Sequence, residues 1–268
     1  MPEGPEAHTM ASFLREILNN KNIIEINILD SRHAKNFAST SLPCTVQQVC
    51  AHGKRPIIVT NRGYFMTFLC MNGRWLSNES SWTRVILKVQ DPTNGREFNL
   101  YFDDQRSLGS AFVEYFPTEE GIYSYINSVG RDLLNNPGSF SDFLSLTRKR
   151  FKGSVTTLDT FLLSTKSNCT VGNYLKSEIL YYARLSPNRT LSSCSDQEIE
   201  NLFNFSISVS RAAYSKEGFT MKDYLKPDGS HGMFRCVVYK EKIDPEGNVI
   251  ERVVRNGRTT YWVPELQH

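Results

Sequence analysis

The 268-residue sequence predicts a two-domain α+β chain: an N-terminal β-sandwich with a leading helix, and a C-terminal helical domain that ends in a β-hairpin. Three observations predict it. One apolar stripe at helical spacing opens the chain. Seven short segments rich in β-branched and aromatic residues come next, separated by turn residues. Beyond the cluster Asn135-Asn136-Pro137-Gly138 the periodicity becomes helical.

The elements follow in order. Met10, Phe13, Leu14, Ile17 and Leu18 recur at i, i+3, i+4, i+7 and i+8 and predict a helix over 7–18. Ile24, Ile26 and Ile28 alternate with polar residues across Asn22–Asp30, as in a half-buried strand. Thr45–Ala51, Pro56–Thr60, Tyr64–Leu69, Arg84–Val89, Glu97–Phe102 and Ala111–Phe116 read as further strands. So many short strands at this spacing predict a sandwich or barrel. Helices are expected over Ser154–Leu163, over Asn173–Ala183, and after Ser195. Glu198 completes a capping box there, and the helix should stop by Gly218. Cys236–Trp262 reads as a hairpin about Asp244-Pro245-Glu246-Gly247-Asn248. The expected divisions are 1–132, 133–235 and 236–268, and a cleft between two such domains is a natural ligand site.

Composition bounds the function. Forty percent hydrophobic residues suffice for a packed core, and a net charge of +3 permits a polyanionic partner without demanding one. The six cysteines form no CxxC pair and read as reduced thiols. The N-terminus lacks the basic and apolar regions of a signal peptide, and no apolar run reaches the ~18 residues that span a membrane. A soluble, intracellular protein is expected.

The chemistry begins at Met-Pro-Glu-Gly-Pro-Glu. Removal of Met1 leaves Pro2 as a free secondary amine, and an α-amino group titrates at about 7.7–8.0, so part of it is unprotonated at neutral pH. A secondary amine that attacks a sugar C1′ gives an iminium directly, and the adjacent Glu3 is a candidate general acid.

This stretch resembles the start of the formamidopyrimidine-DNA glycosylase and endonuclease VIII family, and the likeness runs in order down the chain. Gly4 is closer to the endonuclease VIII branch. Lys54 in Gly53-Lys54-Arg55 resembles the family's hairpin lysine on a DNA phosphate. Met71 in Leu69-Cys70-Met71-Asn72-Gly73 resembles the methionine that fills the gap left by a flipped base. Cys70 stands at the family's usual glycine there, and Phe68 at an often basic position. Asp104-Gln105-Arg106-Ser107-Leu108-Gly109 resembles the Asp-x-Arg-Arg-Phe-Gly loop. Arg106 would face the orphaned base and Leu108 would intercalate, while Ser107 replaces the second arginine. Asn168 to Leu180 resembles the helix–two-turn–helix motif, with Asn173 opening a helix toward a phosphate and Glu178 matching its acidic residue. Gly218 to Gly229 resembles a base-capping loop of the formamidopyrimidine branch. Gly257 to Gln267 resembles the end of the family's zinc finger, with Arg258 at the hairpin tip. Val263 and Leu266 stand where zinc-binding members carry cysteines, so the set of four N or S ligands is incomplete. The resemblance is therefore to a zincless finger, ordered by Val253, Tyr261, Trp262 and Val263.

The resemblance implies a bifunctional DNA glycosylase and abasic-site lyase of base excision repair. Pro2, Glu3, Lys54 and Arg258 form the catalytic set; Glu6, Met71, Arg106, Leu108, Asn173 and Glu178 form the DNA-binding set. It implies damaged DNA, duplex or single-stranded, as partner. It implies a monomer, no metal or organic cofactor, no membrane, and a location with the genomic DNA (the nucleus in a eukaryote). Oxidised pyrimidines and ring-opened purines are the expected bases. Two alternatives stay open: an abasic-site lyase with weak glycosylase activity, and a non-catalytic DNA-binding protein.

Overall fold

The computed structural model describes residues 2–104, 112–150, 155–220, 226 and 228–268, with the side chain of Arg150 excepted. The chain divides into two compact units. The first comprises 1–128 with 220–233, and the second 129–219 with 234–268.

The first unit opens with α1 (Gly4–Leu18). The helix starts three residues before the apolar stripe predicts. Glu3 and Glu6 form a reciprocal capping box, in which the Glu3 backbone N–H donates to Glu6 Oε2 at 2.7 Å. Pro5 sits in the first turn, where its missing N–H costs nothing. Met10, Ala11, Leu14 and Leu18 are fully buried, with Phe13 and Ile17 packed beside them. Each large apolar side chain buried contributes about 1.5–3 kcal/mol. Docking of this face, rather than intrinsic propensity, therefore holds the helix.

Eight antiparallel strands follow: β1 (Asn22–Ile28), β2 (Cys44–His52), β3 (Arg55–Thr60), β4 (Gly63–Phe68), β5 (Gly73–Leu76), β6 (Thr83–Gln90), β7 (Glu97–Asp104) and β8 (Phe112–Phe116). Their order is β5-β7-β6-β1-β2-β3-β4-β8. The short pairing of Asn22 with Thr45 and Ile23 with Cys44 joins two four-stranded halves. Both halves feed one core. Ile23, Trp75, Val85, Leu87 and Phe102 come from one side, and Val46, Val49, Ile58, Phe65 and Val113 from the other. All seven expected strands form; the four-residue β5 is additional and too short for alternation to reveal. A 3-10 helix, Ser31–Phe37, follows β1. Because side chains alternate across a strand, Ile57 and Met66 face away from that core. α2 (Glu119–Ser128) covers them with Ile122, Tyr125 and Ile126.

The second unit holds α3 (Phe140–Arg150), α4 (Leu158–Leu163), α5 (Asn173–Tyr182) and α6 (Asp196–Ser215). Predicted from Ser154, α4 begins only at Leu158. Val155 and Thr156 lie outside the helix, and the β-branched Thr157 is extended as its N-cap and bridges Thr190. The capping box of Ser195 and Glu198 starts α6 as expected. The helix ends at Ser215, and Glu217 and Gly218 then take positive φ, with the Gly218 N–H bonded to Ala213 O. Residues 174–181 of α5 are all buried, because neighbours pack on every side.

The hairpin differs from expectation. Its strands are β9 (Glu251–Arg255) and β10 (Arg258–Trp262), so it turns at Asn256-Gly257, not at 244–248. Asp244 closes its own turn by accepting the N–H groups of Glu246 and Asn248, and only Ile243 and Val249 bridge across it.

Candidate functional site

Pro2 and Glu3 are buried at the amino end of α1. The capping box commits Glu3 and Glu6 to one arrangement, and Glu6 is only 1% exposed. Arg15 Nε donates to Val49 O at 2.9 Å and ties α1 to β2. Glu3, the N-cap residue, is therefore held at the start of an anchored helix, and Pro2 lies buried directly before it.

Lys54 lies in the two-residue turn between β2 and β3, beside Gly53 at φ +56°. A two-residue hairpin turn needs a residue with positive φ, and glycine supplies it without strain. Met71 is half-buried on the turn between β4 and β5, outside the core cluster, where the Gly73 N–H bonds Leu69 O at 2.7 Å. Cys70 carries that turn at φ +47°, the left-handed region that favours glycine. Phe68 is covered by the guanidinium of Arg55, 4.4 Å from its ring centroid, while Arg55 Nε also donates to Tyr125 Oη at 3.2 Å. A cation thus reaches the Phe68 position from the adjoining strand. Arg106, Ser107 and Leu108 lie outside the described residues, as do Met1 and the residues 221–225 and 227 of the stretch 218–229.

The second unit presents the other set. Asn168 organises the approach to α5: its Oδ1 accepts the N–H groups of Thr170 and Val171 at 3.2 and 2.7 Å, and its Nδ2 donates to Leu162 O. Gly130 lies so close that a Cβ there would meet Asn168 N at 2.5 Å. Gly172 caps α5, and Asn173 is its first residue, half-buried. Lys176, 1% exposed, donates from Nζ to Asn173 Oδ1 at 2.9 Å. That bond fixes the carboxamide, so Nδ2 is the donor it presents at the amino end of the helix.

Glu178 is fully buried and accepts the N–H groups of Val237, Val238 and Tyr239 at 2.8, 3.0 and 2.9 Å. Burial pushes its carboxyl above the ordinary range, against the pull of those three bonds. Tyr261 N–H donates to Ser177 Oγ at 3.2 Å, and Tyr181 Oη to Asp244 Oδ2 at 3.1 Å. Tyr181 is pushed up to about 12 by burial and by that carboxylate. Through these bonds α5 holds residues 237–239, Asp244 and Tyr261 of the C-terminal segment. Arg258 is exposed and directly follows the Asn256-Gly257 turn.

The residues of this segment do not fit a zinc ion. Val263 is fully buried and packs with Tyr181, Val238, Ile250, Val237, Tyr261 and Leu266. The aliphatic side chains at 263 and 266 offer no ligand atom. Among the described residues no three His, Cys, Asp or Glu cluster as a metal site. Of the four residues expected to order the hairpin, Val263 and Tyr261 join this core; Val238 and Ile250 are additions from outside the motif.

Sequence reading did not single out Lys176, Asp159 or Arg255. Lys176 is three residues from Asn173, a helical neighbour that could have been noticed. Asp159 pairs with Arg255 at 2.8 Å across 96 residues of chain, and no local signal announces that.

Fold and site together define a two-unit α+β protein with Pro2 and Glu3 buried at the amino end of α1 and an asparagine at the amino end of a buried helix. Residues 1–111 match the formamidopyrimidine-DNA glycosylase N-terminal domain, and residues 228–268 its C-terminal domain. The formamidopyrimidine-DNA glycosylase of Zymomonas mobilis is 30% identical over 278 residues, with all of both chains covered. That of Listeria monocytogenes is 27% identical over 282 residues, again with full coverage. The crystal structure of the MutM (Fpg) protein from Thermus thermophilus superposes with a TM-score of 0.85 at 27% identity, covering 99% of this chain and 98% of that one. The Lactococcus lactis Fpg in complex with DNA containing an abasic site shares the fold, with a TM-score of 0.84 at 18% identity and full coverage of both chains. The chain belongs to the formamidopyrimidine-DNA glycosylase family.

Proposed function

We propose that this protein is a bifunctional DNA glycosylase and abasic-site lyase that excises oxidised bases. The observation that carries the reading is the Pro2-Glu3 pair fixed at the start of α1, in a chain whose full-length relatives are named formamidopyrimidine-DNA glycosylases. Lactococcus lactis Fpg in complex with abasic-site DNA supports DNA as the partner.

With Met1 removed, the Pro2 nitrogen attacks C1′ of the damaged nucleotide. Glu3 donates a proton to the sugar ring oxygen as the C1′–O4′ bond opens; the nitrogen lone pair then expels the base, which takes up the proton given up by the Pro2 N–H as the iminium forms. The iminium between Pro2 and C1′ acidifies C2′, so β-elimination expels the 3′ phosphate and δ-elimination the 5′ phosphate. A one-nucleotide gap with phosphate ends remains. Lys54, Asn173 and Arg258 hold backbone phosphates, and Met71 fills the stack behind the flipped nucleotide. Arg106 faces the orphaned base and Leu108 wedges beside it. Glu6 and Glu178, expected among the DNA-binding residues, are both buried and serve binding indirectly, by holding the elements on which Pro2 and Asn173 stand. Opening at Gly4 and the apolar finger core favour oxidised pyrimidines and ring-opened purines as substrates.

Single-turnover assays on duplexes carrying thymine glycol, 8-oxoguanine or an abasic site test this. Thymine glycol should be released faster than 8-oxoguanine, with strand cleavage following release, and Pro2→Thr should lack both. Faster release of 8-oxoguanine would reverse the base assignment. Cleavage of the abasic duplex alone would reduce the protein to a lyase, and binding without cleavage to a DNA-binding protein.

A further inference from the structure

The β9–β10 hairpin is two strands of five residues, a unit that is marginal by itself in water. Its base is held by the apolar cluster of Val238, Ile250 and Val263. The tip is not. Val254 is 64% exposed, and Asn256, Gly257 and Arg258 are exposed as well. Between base and tip lies one carboxylate. Asp159, 2% exposed in the first turn of α4, receives Arg255 Nη1 on Oδ2 at 2.8 Å and Thr260 Oγ1 on the same oxygen at 3.3 Å. Arg255 belongs to β9 and Thr260 to β10, so one oxygen atom holds both strands. Oδ1 is bound in turn by Thr157 Oγ1 at 2.6 Å and by the Thr160 N–H at 2.8 Å, which fixes the carboxylate on α4. The second arm of the Arg255 fork bonds Asn188 Oδ1, and Nη1 also reaches Pro187 O. Arg255 is the direct cross-strand partner of Arg258.

We propose that Asp159 and Arg255 are positioning residues that pin the hairpin tip to α4 and so aim Arg258 at its phosphate. This rests on the phosphate role of Arg258 given above. Burial alone would raise the Asp159 carboxyl, but the bonds from Thr157 and Arg255 outweigh it and hold the group below its ordinary range. Arg255 supplies a planar fork that reaches two partners at once, which a lysine does not.

The test uses the full chain and a duplex carrying a tetrahydrofuran abasic analogue. In Asp159→Asn, amide exchange at Asn256–Thr259 should rise about tenfold while α5 and α6 keep their protection. Binding of the duplex should weaken about tenfold, because loss of registry at a positioned contact is costly. In an Arg258→Ala background the same change should alter binding less than twofold, since the group being aimed is gone. Arg255→Met should copy Asp159→Asn, and Arg255→Lys, which keeps the charge and one contact, should recover part of the loss. Unchanged exchange at the tip overturns the anchor, as does equal weakening in both backgrounds. Should Arg258→Ala itself leave binding intact, the phosphate reading falls and with it the aim of Arg258.

Discussion

Cys70 stands at φ +47°, where most L-residues are strained by about 1–2 kcal/mol. Glycine removes that strain but gives the unfolded chain extra freedom worth about 0.4–1 kcal/mol. The balance predicts that Cys70→Gly stabilises the protein by about 0.5–1 kcal/mol, read as a higher urea midpoint at unchanged slope. A lower midpoint would mean that the Cys70 side chain packs for more than the strain it brings. Asn173 makes a second residue-scale prediction. Asn173→Ala should weaken binding of abasic-analogue duplexes by about 1–3 kcal/mol, uniformly across sequences, because a phosphate contact carries no base information. Sequence dependence of that loss would point to base readout. Pro2, Glu3 and Asn173 could be singled out in the sequence because each lies in a short contiguous motif, and the structure places Pro2 and Glu3 at the start of α1 and Asn173 at the start of α5. The 96-residue span between Asp159 and Arg255, and the buried amides gathered by Glu178, belong to tertiary structure.

At the scale of elements, strands were legible because alternation over five or more residues marks one buried face. Boundaries were set by capping and by backbone strain. α1 gained its first turn from the Glu3–Glu6 box, which lies upstream of the apolar stripe. The hairpin turn was misplaced because Asp244-Pro245-Glu246-Gly247-Asn248 is a true turn, but one closed by the Asp244 side chain and not by paired strands. Asn256-Gly257, the dipeptide best suited to a two-residue turn, held the correct signal. Gly130 shows how tightly the loop before α5 is built. A methyl group there meets Asn168 N and Ser167 C, both at 2.5 Å and both backbone. Gly130→Ala should destabilise the protein by about 1–3 kcal/mol, the usual range for overpacking. It should also weaken DNA binding, because Asn168 orients the segment that leads into Asn173. A variant with lowered Tm and native affinity would separate that loop from the binding surface.

At the scale of the whole molecule, acid stability follows from carboxyls held low in the fold. Arg189 and the backbone of Ser195 hold Glu198 down to about 2. The unfolded chain, with an ordinary glutamate near 4.5, binds that proton first. The contribution is therefore complete above about pH 4.5 and is lost as pH falls toward 2. Exposure of the pair and solvent screening keep it below about 1 kcal/mol. Glu198→Gln should flatten this limb of the urea midpoint against pH by lowering stability above about pH 4.5, by less than about 1 kcal/mol, and leave stability near pH 2 unchanged; an equal loss at all pH values would assign the effect to the helix cap alone. Binding is also a property of the whole surface. Each cationic phosphate contact adds about 0.9 to the slope of log K against log salt, so Arg258→Ala should reduce that slope by about one.

The proposed reaction requires the Pro2 nitrogen as its nucleophile, and borohydride trapping captures that step. The protein, with removal of Met1 verified by mass, is mixed with an abasic-site duplex, reduced, and separated on a denaturing gel, and the cross-linked peptide is sequenced by mass spectrometry. A covalent adduct on Pro2, absent from Pro2→Thr, is the expected outcome. An adduct on another residue, or none at all from protein that begins at Pro2, would refute the assignment.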